Sequence, residues 1–112
     1  MGNPKEEKNS KYVPFHVEGF VSFLEYESLR RKHSEEFINK LKRMPYKDYL
    51  STPHWIALKK AILGRDGRTC RMCKNSHVEV HVHHLSYENR GNENISEVAC
   101  LCAECHARMH GL

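Results

Sequence analysis

Cys70-Arg71-Met72-Cys73, Val78-Glu79-Val80-His81-Val82-His83-His84 and Cys102-Ala103-Glu104-Cys105-His106-Ala107-Arg108-Met109-His110 are the stretches whose reading decides the fold. Each C-x-x-C knuckle holds two thiols close enough to share one ion, and two knuckles complete a tetrahedral four-sulfur set of the kind zinc favours, with Zn–S near ~2.3 Å. The 28 residues between the knuckles exceed a short finger and must carry structure of their own. Four sulfurs close the coordination sphere, so the role expected of such an ion is to fold the chain, not to react. The segment between them alternates, with Val78, Val80 and Val82 on one side and Glu79, His81 and His83 on the other, which predicts a half-buried strand. Regular alternation turns His84 away from His83.

The composition points the same way. Five cysteines and nine histidines are unusual in 112 residues, and an odd cysteine count favours metal over a disulfide framework. Cys100 is the cysteine left over, expected as a buried thiol. His106 and His110 stand one helical turn apart and project from one face. With His83 they form a three-imidazole set that leaves coordination positions open for water and substrate. Neutral imidazole is also the side chain best suited to take a proton near pH 7.

In this order, Cys70-x-x-Cys73, Val82-His83-His84-Leu85 and Leu101-Cys102-x-x-Cys105-His106-x-x-x-His110 resemble the HNH nuclease family over residues 51–112. The resemblance implies an α+β fold with a ββα-metal, treble-clef-like core, here carrying N-terminal helices. It implies a DNA endonuclease in which His84 is the general base and His83, His106 and His110 hold a divalent ion (Mg2+, Mn2+, Ni2+ or Zn2+). Cys70, Cys73, Cys102 and Cys105 then hold a structural Zn2+. Similar enzymes leave a 5′-phosphate and a 3′-hydroxyl. The family's middle Asn, which orients the base, falls on Glu97 by count. Asn92 and Asn94 are the candidates to replace it, and Gly91-Asn92-Glu93 resembles a subgroup with that tripeptide. The rival reading is a zinc-stapled DNA-binding module without catalysis, which would not need His84.

Outside that region the chain is less specific. Residues 1–12 are polar and read as a flexible lead-in, residues 13–50 as a helical extension, and residues 51–112 as the nuclease domain. From Phe15 to Met44 the apolar residues Phe20, Leu24, Phe37, Ile38 and Leu41 recur at helical spacing, with Ser34 placed to cap a second helix. Pro45 to Ser51 reads as a linker. Thr52-Pro53 opens a helix with Trp55, Leu58 and Ile62 on one face, Lys59 and Lys60 in water, and Gly64 at its exit. Tyr87 to Glu97 reads as a loop, and Ile95 to His110 as helical again.

Lysine and arginine exceed acidic residues by 18 to 14, a net charge of +4 that is compatible with a polyanion. Arg65, Arg68, Arg71, Arg90 and Arg108, with Lys59, Lys60 and Lys74, are the candidate phosphate contacts. DNA is the expected partner, and residues 13–50 are the candidate surface for a homodimer or a protein partner. No apolar run approaches the ~18 residues of a membrane span. The first residues lack the apolar stretch of a secretory signal, and Glu6 breaks the myristoylation motif that Gly2 suggests, so a cytoplasmic setting is the expectation.

Overall fold

The computed structural model describes residues 17–111, so the lead-in expected over residues 1–12 lies outside the described residues. Helices α1 (Val17–Arg31), α2 (Glu35–Arg43), α3 (Tyr46–Tyr49) and α4 (Pro53–Asp66) precede strand β1 (Val80–His84). A 3-10 turn (Ile95–Glu97), strand β2 (Val98–Cys102) and helix α5 (Ala103–Met109) follow, completing the elements among the described residues. The class is mixed α+β, and among the described residues there is one two-stranded antiparallel sheet, pairing Val80 with Cys102 and His84 with Val98.

The caps explain the helix starts. Ser34 Oγ accepts from the Phe37 amide at 3.1 Å, and Thr52 Oγ1 accepts from the Trp55 amide at 3.1 Å, each satisfying a first-turn donor with no helical partner. Pro53 follows Thr52 at the start of α4, where its missing N–H costs nothing. The expected exit at Gly64 is corrected, because α4 runs on to Asp66 and ends at Gly67, whose φ of 62° supplies the left-handed cap. Gly64 serves the helix crossing instead. A Cβ placed on it would lie 2.5 Å from Gly19 Cα, so the pair of glycines lets α1 and α4 touch backbone to backbone.

Two further expectations change. Residues Pro45 to Ser51 hold the short helix α3, whose Tyr49 is fully buried. The helix expected from Ile95 to His110 is a 3-10 turn, then β2, then the shorter α5. Strand β2 is buried at all five positions, Val98-Ala99-Cys100-Leu101-Cys102, so its sequence has no alternation to betray it. One edge pairs with β1, and the end of α4 satisfies much of the other. Asp66 Oδ2 accepts from the Cys100 amide at 2.9 Å, and the Arg65 guanidinium donates to the carbonyls of Ile95 at 2.6 Å and Val98 at 2.7 Å. Buried backbone groups are thereby paired without a third strand.

Tyr26 of α1, Leu41 of α2 and Tyr49 of α3 share one core with Trp55, Leu58, Ala61 and Ile62 of α4 and Val98 and Cys100 of β2. The core therefore draws on both sides of residue 50, and α4 is its central element. Among the described residues, no helix is long and apolar enough to cross a membrane.

Candidate active site and metal centre

The four cysteines converge from the loop after α4 and from the β2–α5 corner. Cys70 follows α4 in a tight turn in which its amide donates to the Asn75 carbonyl at 3.2 Å, while the Lys74 amide returns to the Cys70 carbonyl at 2.8 Å. Lys74 takes a left-handed φ of 66° there, bending the first knuckle back on itself. Cys102 is both the last residue of β2 and the N-cap of α5, its sulfur accepting from the Cys105 amide at 3.4 Å. The sulfurs of Cys70, Cys73, Cys102 and Cys105 all lie within 4.8 Å of one another, with Cys73 and Cys102 3.9 Å apart. Tetrahedral Zn–S bonds of ~2.3 Å give edges of about 3.8 Å, so the donor set fits a structural metal ion.

The electrostatics of the cluster are divided. Burial alone would raise the Cys70 thiol, but amide hydrogens of Cys73, Cys102 and Met72 aimed at its sulfur outweigh that and bring it down to about 6. Cys105 goes the other way, pushed up to about 12 by burial and the neighbouring sulfurs. Cys100 stands apart as a buried thiol, raised to about 11 by burial and the Asp66 carboxylate.

β1 and α5 bring three of the expected histidines together. The rings of His83 and His106 stack with centroids 3.6 Å apart, and His110 Nε2 lies 3.1 Å from His106 Nε2. Burial, then the nearby His106, His81 and His110, lowers His83 to about 4, so the neutral, lone-pair-bearing form is favoured. The chemistry of three imidazoles on one face suits a borderline divalent ion. Among the described residues, however, only the four cysteines already have all their donor atoms within 4.8 Å of one another. His83 and His106 face each other ring to ring, so gathering three nitrogens on one ion requires a ring rotation.

His84 turns to the other side of β1, as the alternation predicts, and is 3 % exposed. Trp55 and Tyr87 both stack on its ring, each with a centroid 4.9 Å away. Its Nε2 lies 2.8 Å from Glu93 Oε2, and its Nδ1 lies 3.1 Å from the Tyr46 hydroxyl. The residue that meets His84 is therefore Glu93, where the sequence reading has Asn92 or Asn94. Asn92 Oδ1 accepts from Arg30 Nε at 2.8 Å, and the Asn94 backbone N–H donates to Glu97 Oε1 at 2.9 Å.

Glu93 is the centre of a network that sequence reasoning did not find. Its carboxylate is fully buried and accepts from His54 Nε2 at 2.7 Å, the Gly91 amide at 3.1 Å, the Tyr49 hydroxyl and His84. Burial would raise such a carboxyl, but the hydrogen bonds from His54, His84 and Tyr49 dominate and hold it far below the usual carboxylate range. The chain continues outward, because His33 Nε2 lies 3.0 Å from His54 Nδ1. Tyr26 donates to the Glu93 carbonyl at 2.7 Å. The ionised Glu93 is an acceptor for His84 Nε2–H, while His84 Nδ1 faces the Tyr46 hydroxyl. The available signals were a lone carboxylate between Asn92 and Asn94, and a histidine just inside the start of α4.

The arginines divide sharply. Arg65 is held by Asp66 and two β2-side carbonyls, and Arg90 donates to the carbonyls of Leu41 and Met44 while lying 4.9 Å from the Tyr49 ring centroid. Both are structural clamps, which removes them from the free phosphate contacts. Arg108 pairs with Glu104 at 3.1 Å on the exposed face of α5. Arg68 and Arg71 are exposed. Between α4 and β1 lies a cleft of about 520 Å³, bordered by Tyr46, Lys59, Arg68 and His83.

No protein-family model matches the chain, and no curated protein or solved structure matches it either.

Proposed function

We propose that the chain is a metal-dependent endonuclease of the HNH kind, hydrolysing DNA phosphodiester bonds with β1, β2 and α5 as its ββα-metal core. The observation that carries this reading is the division of two adjacent histidines across β1. His83 joins His106 and His110 on the open face, while His84 is fixed on Glu93 with its Nδ1 toward Tyr46. A divalent ion held by His83, His106 and His110 would supply the positive charge that a phosphoryl-transfer transition state and its leaving 3′ oxygen need.

The chain's own residues do the rest. The Glu93 carboxylate fixes the tautomer of His84 and stabilises the imidazolium formed when Nδ1 takes a proton. Because the Tyr46 hydroxyl occupies Nδ1 and Tyr46 borders the cleft, the proton from water reaches His84 through that hydroxyl. Burial first, and then Tyr87, pushes the Tyr46 phenol up to about 12, so it is a neutral donor at working pH. Lys59, Lys60, Arg68, Arg71 and Lys74 remain the phosphate contacts, since Arg65 and Arg90 are committed to carbonyls and Arg108 to Glu104.

One observation favours the rival reading of a zinc-stabilised DNA-binding module. The side chain of His84 is wholly buried, which also suits a purely structural histidine. Conversion of supercoiled plasmid by wild type and His84→Ala, with magnesium, manganese or EDTA, separates the two. The nuclease reading expects cutting by wild type that EDTA stops and His84→Ala abolishes while its zinc content is unchanged. Binding without cutting under every metal would leave the binding module.

A further inference from the structure

The cleft between α4 and β1 has a composition that contacts to a phosphate backbone alone do not require. Its rim carries Lys59 and Arg68, both exposed and, among the described residues, without an acidic partner. Its apolar lining includes Leu50, Trp55, Leu63, Val80 and Val82, and the Tyr46 ring beside them is 37 % exposed. A surface that only tracks phosphates needs cations and hydrogen-bond donors, not apolar side chains beside a part-exposed aromatic ring. The volume, about 520 Å³, falls in the ~300–1,000 Å³ range of pockets that enclose one small organic ligand. A single nucleotide fits that scale, and a stacked base pair with its two backbones does not.

We infer that this cleft takes one unpaired nucleotide of the substrate strand, its base against the apolar lining and the exposed part of Tyr46 and its phosphate between Lys59 and Arg68. The inference rests on the nuclease reading and names its substrate class: nucleic acid with a base out of the stack, such as a bulge, a flap or a single-stranded junction. His83 borders the same cleft, so the phosphate next to the seated nucleotide lies toward the histidine face. The base contact is sequence-tolerant, because every base presents a π-face. Binding of a displaced base is also cheapest where the base is already unpaired, which makes the preference structural rather than sequence-specific.

The test is fluorescence anisotropy with zinc-loaded protein and no added magnesium or manganese. The probes are a perfect 20-mer duplex and the same duplex with one extra unpaired nucleotide. The bulged duplex should bind about 10-fold more tightly. Leu50→Ser, at an exposed position of the lining, should bring that ratio close to one, chiefly by weakening the bulged probe. Lys59→Ala with Arg68→Ala should weaken both probes and flatten the salt dependence. Zinc content and far-UV circular dichroism confirm that each variant is folded. Equal binding of the two probes by wild type, or a ratio that survives Leu50→Ser, overturns the inference, as does an absence of binding to either probe. Cleavage of the perfect duplex in magnesium, measured in parallel, tells this failure apart from a failure of the nuclease reading. Cutting without discrimination leaves the nuclease and removes the cleft's role.

Discussion

One carboxylate, Glu93, accepts hydrogen bonds from two histidines, a tyrosine and a backbone amide in a site with no exposure to solvent. Such a group is expensive to bury and more expensive to disturb, because each donor around it would be left unsatisfied. Glu93→Gln keeps the shape but presents an NH2 group to neighbours that are themselves donors. It is expected to cost about 3 kcal/mol in urea unfolding, on the scale of breaking a buried ionic network. The pH dependence follows from the same residues. Glu93 is held below its ordinary value, so its contribution is complete above ~4.3 and is lost as pH falls toward its folded value. His33 is lowered by burial and then by His54, so its contribution is complete above ~6.5 and fades below that. Tyr26 and Tyr49 are raised by burial and by Glu93, so their contributions are complete below ~10 and fade above it. Urea midpoints measured from pH 3 to 11 should therefore show a plateau near neutrality with losses on both sides. Glu93→Gln should shrink the acid-side loss.

Among the elements, α4 carries the most structural responsibility. Its buried face lines the core, its first turn sends His54 to Glu93, and its last turn holds the outer edge of β2 through Arg65 and Asp66. Its position against α1 depends on Gly64. Alanine is the better helix former by ~1 kcal/mol, and on propensity alone Gly64→Ala would stabilise. The crossing reverses the sign, since the new Cβ would meet Gly19 Cα at 2.5 Å. Forcing the backbones apart is expected to cost about 1–3 kcal/mol net, read as a lower urea midpoint with unchanged m-value. At Gly67 the outcome differs in cause, because nothing lies within 4 Å and only the φ of 62° resists a side chain.

For the whole molecule, the four-cysteine centre ties the end of α4 to the β2–α5 corner, two parts of the chain otherwise joined through the sheet and core. Cys70, Cys102 and Cys105 are buried with Leu101 in a small second cluster beside the main core. A metal ion there links folding to metal, as ion binding and chain ordering become one equilibrium. Purified protein is expected to carry one zinc per chain, and a strong chelator should lower the melting temperature by 10 °C or more, on the order of 2 kcal/mol for a domain of this size. Cys73→Ser, at the exposed sulfur, should reduce zinc affinity with the least direct damage to packing. A melting temperature indifferent to chelation would remove the structural-metal role.

Local features of this protein were legible in its sequence because their physical causes are local. The caps at Ser34 and Thr52, the alternation that separates His83 from His84, and the spacing of the paired cysteines all act over a few residues. What the sequence left undecided depends on residues far apart in the chain. Strand β2 exists because α4, β1 and the four-cysteine cluster enclose five residues that have no periodicity of their own. Gly64 differs from an ordinary helix exit only because Gly19 lies across it, and Arg65 and Arg90 differ from surface cations only through the carbonyls they reach. Glu93, rather than Asn92 or Asn94, meets His84 because the loop conformation aims that side chain inward, where His54 and Tyr49 wait 39 and 44 positions away. Spacing along the chain determined which donors exist. Burial, which only the tertiary structure sets, decided which of them meet.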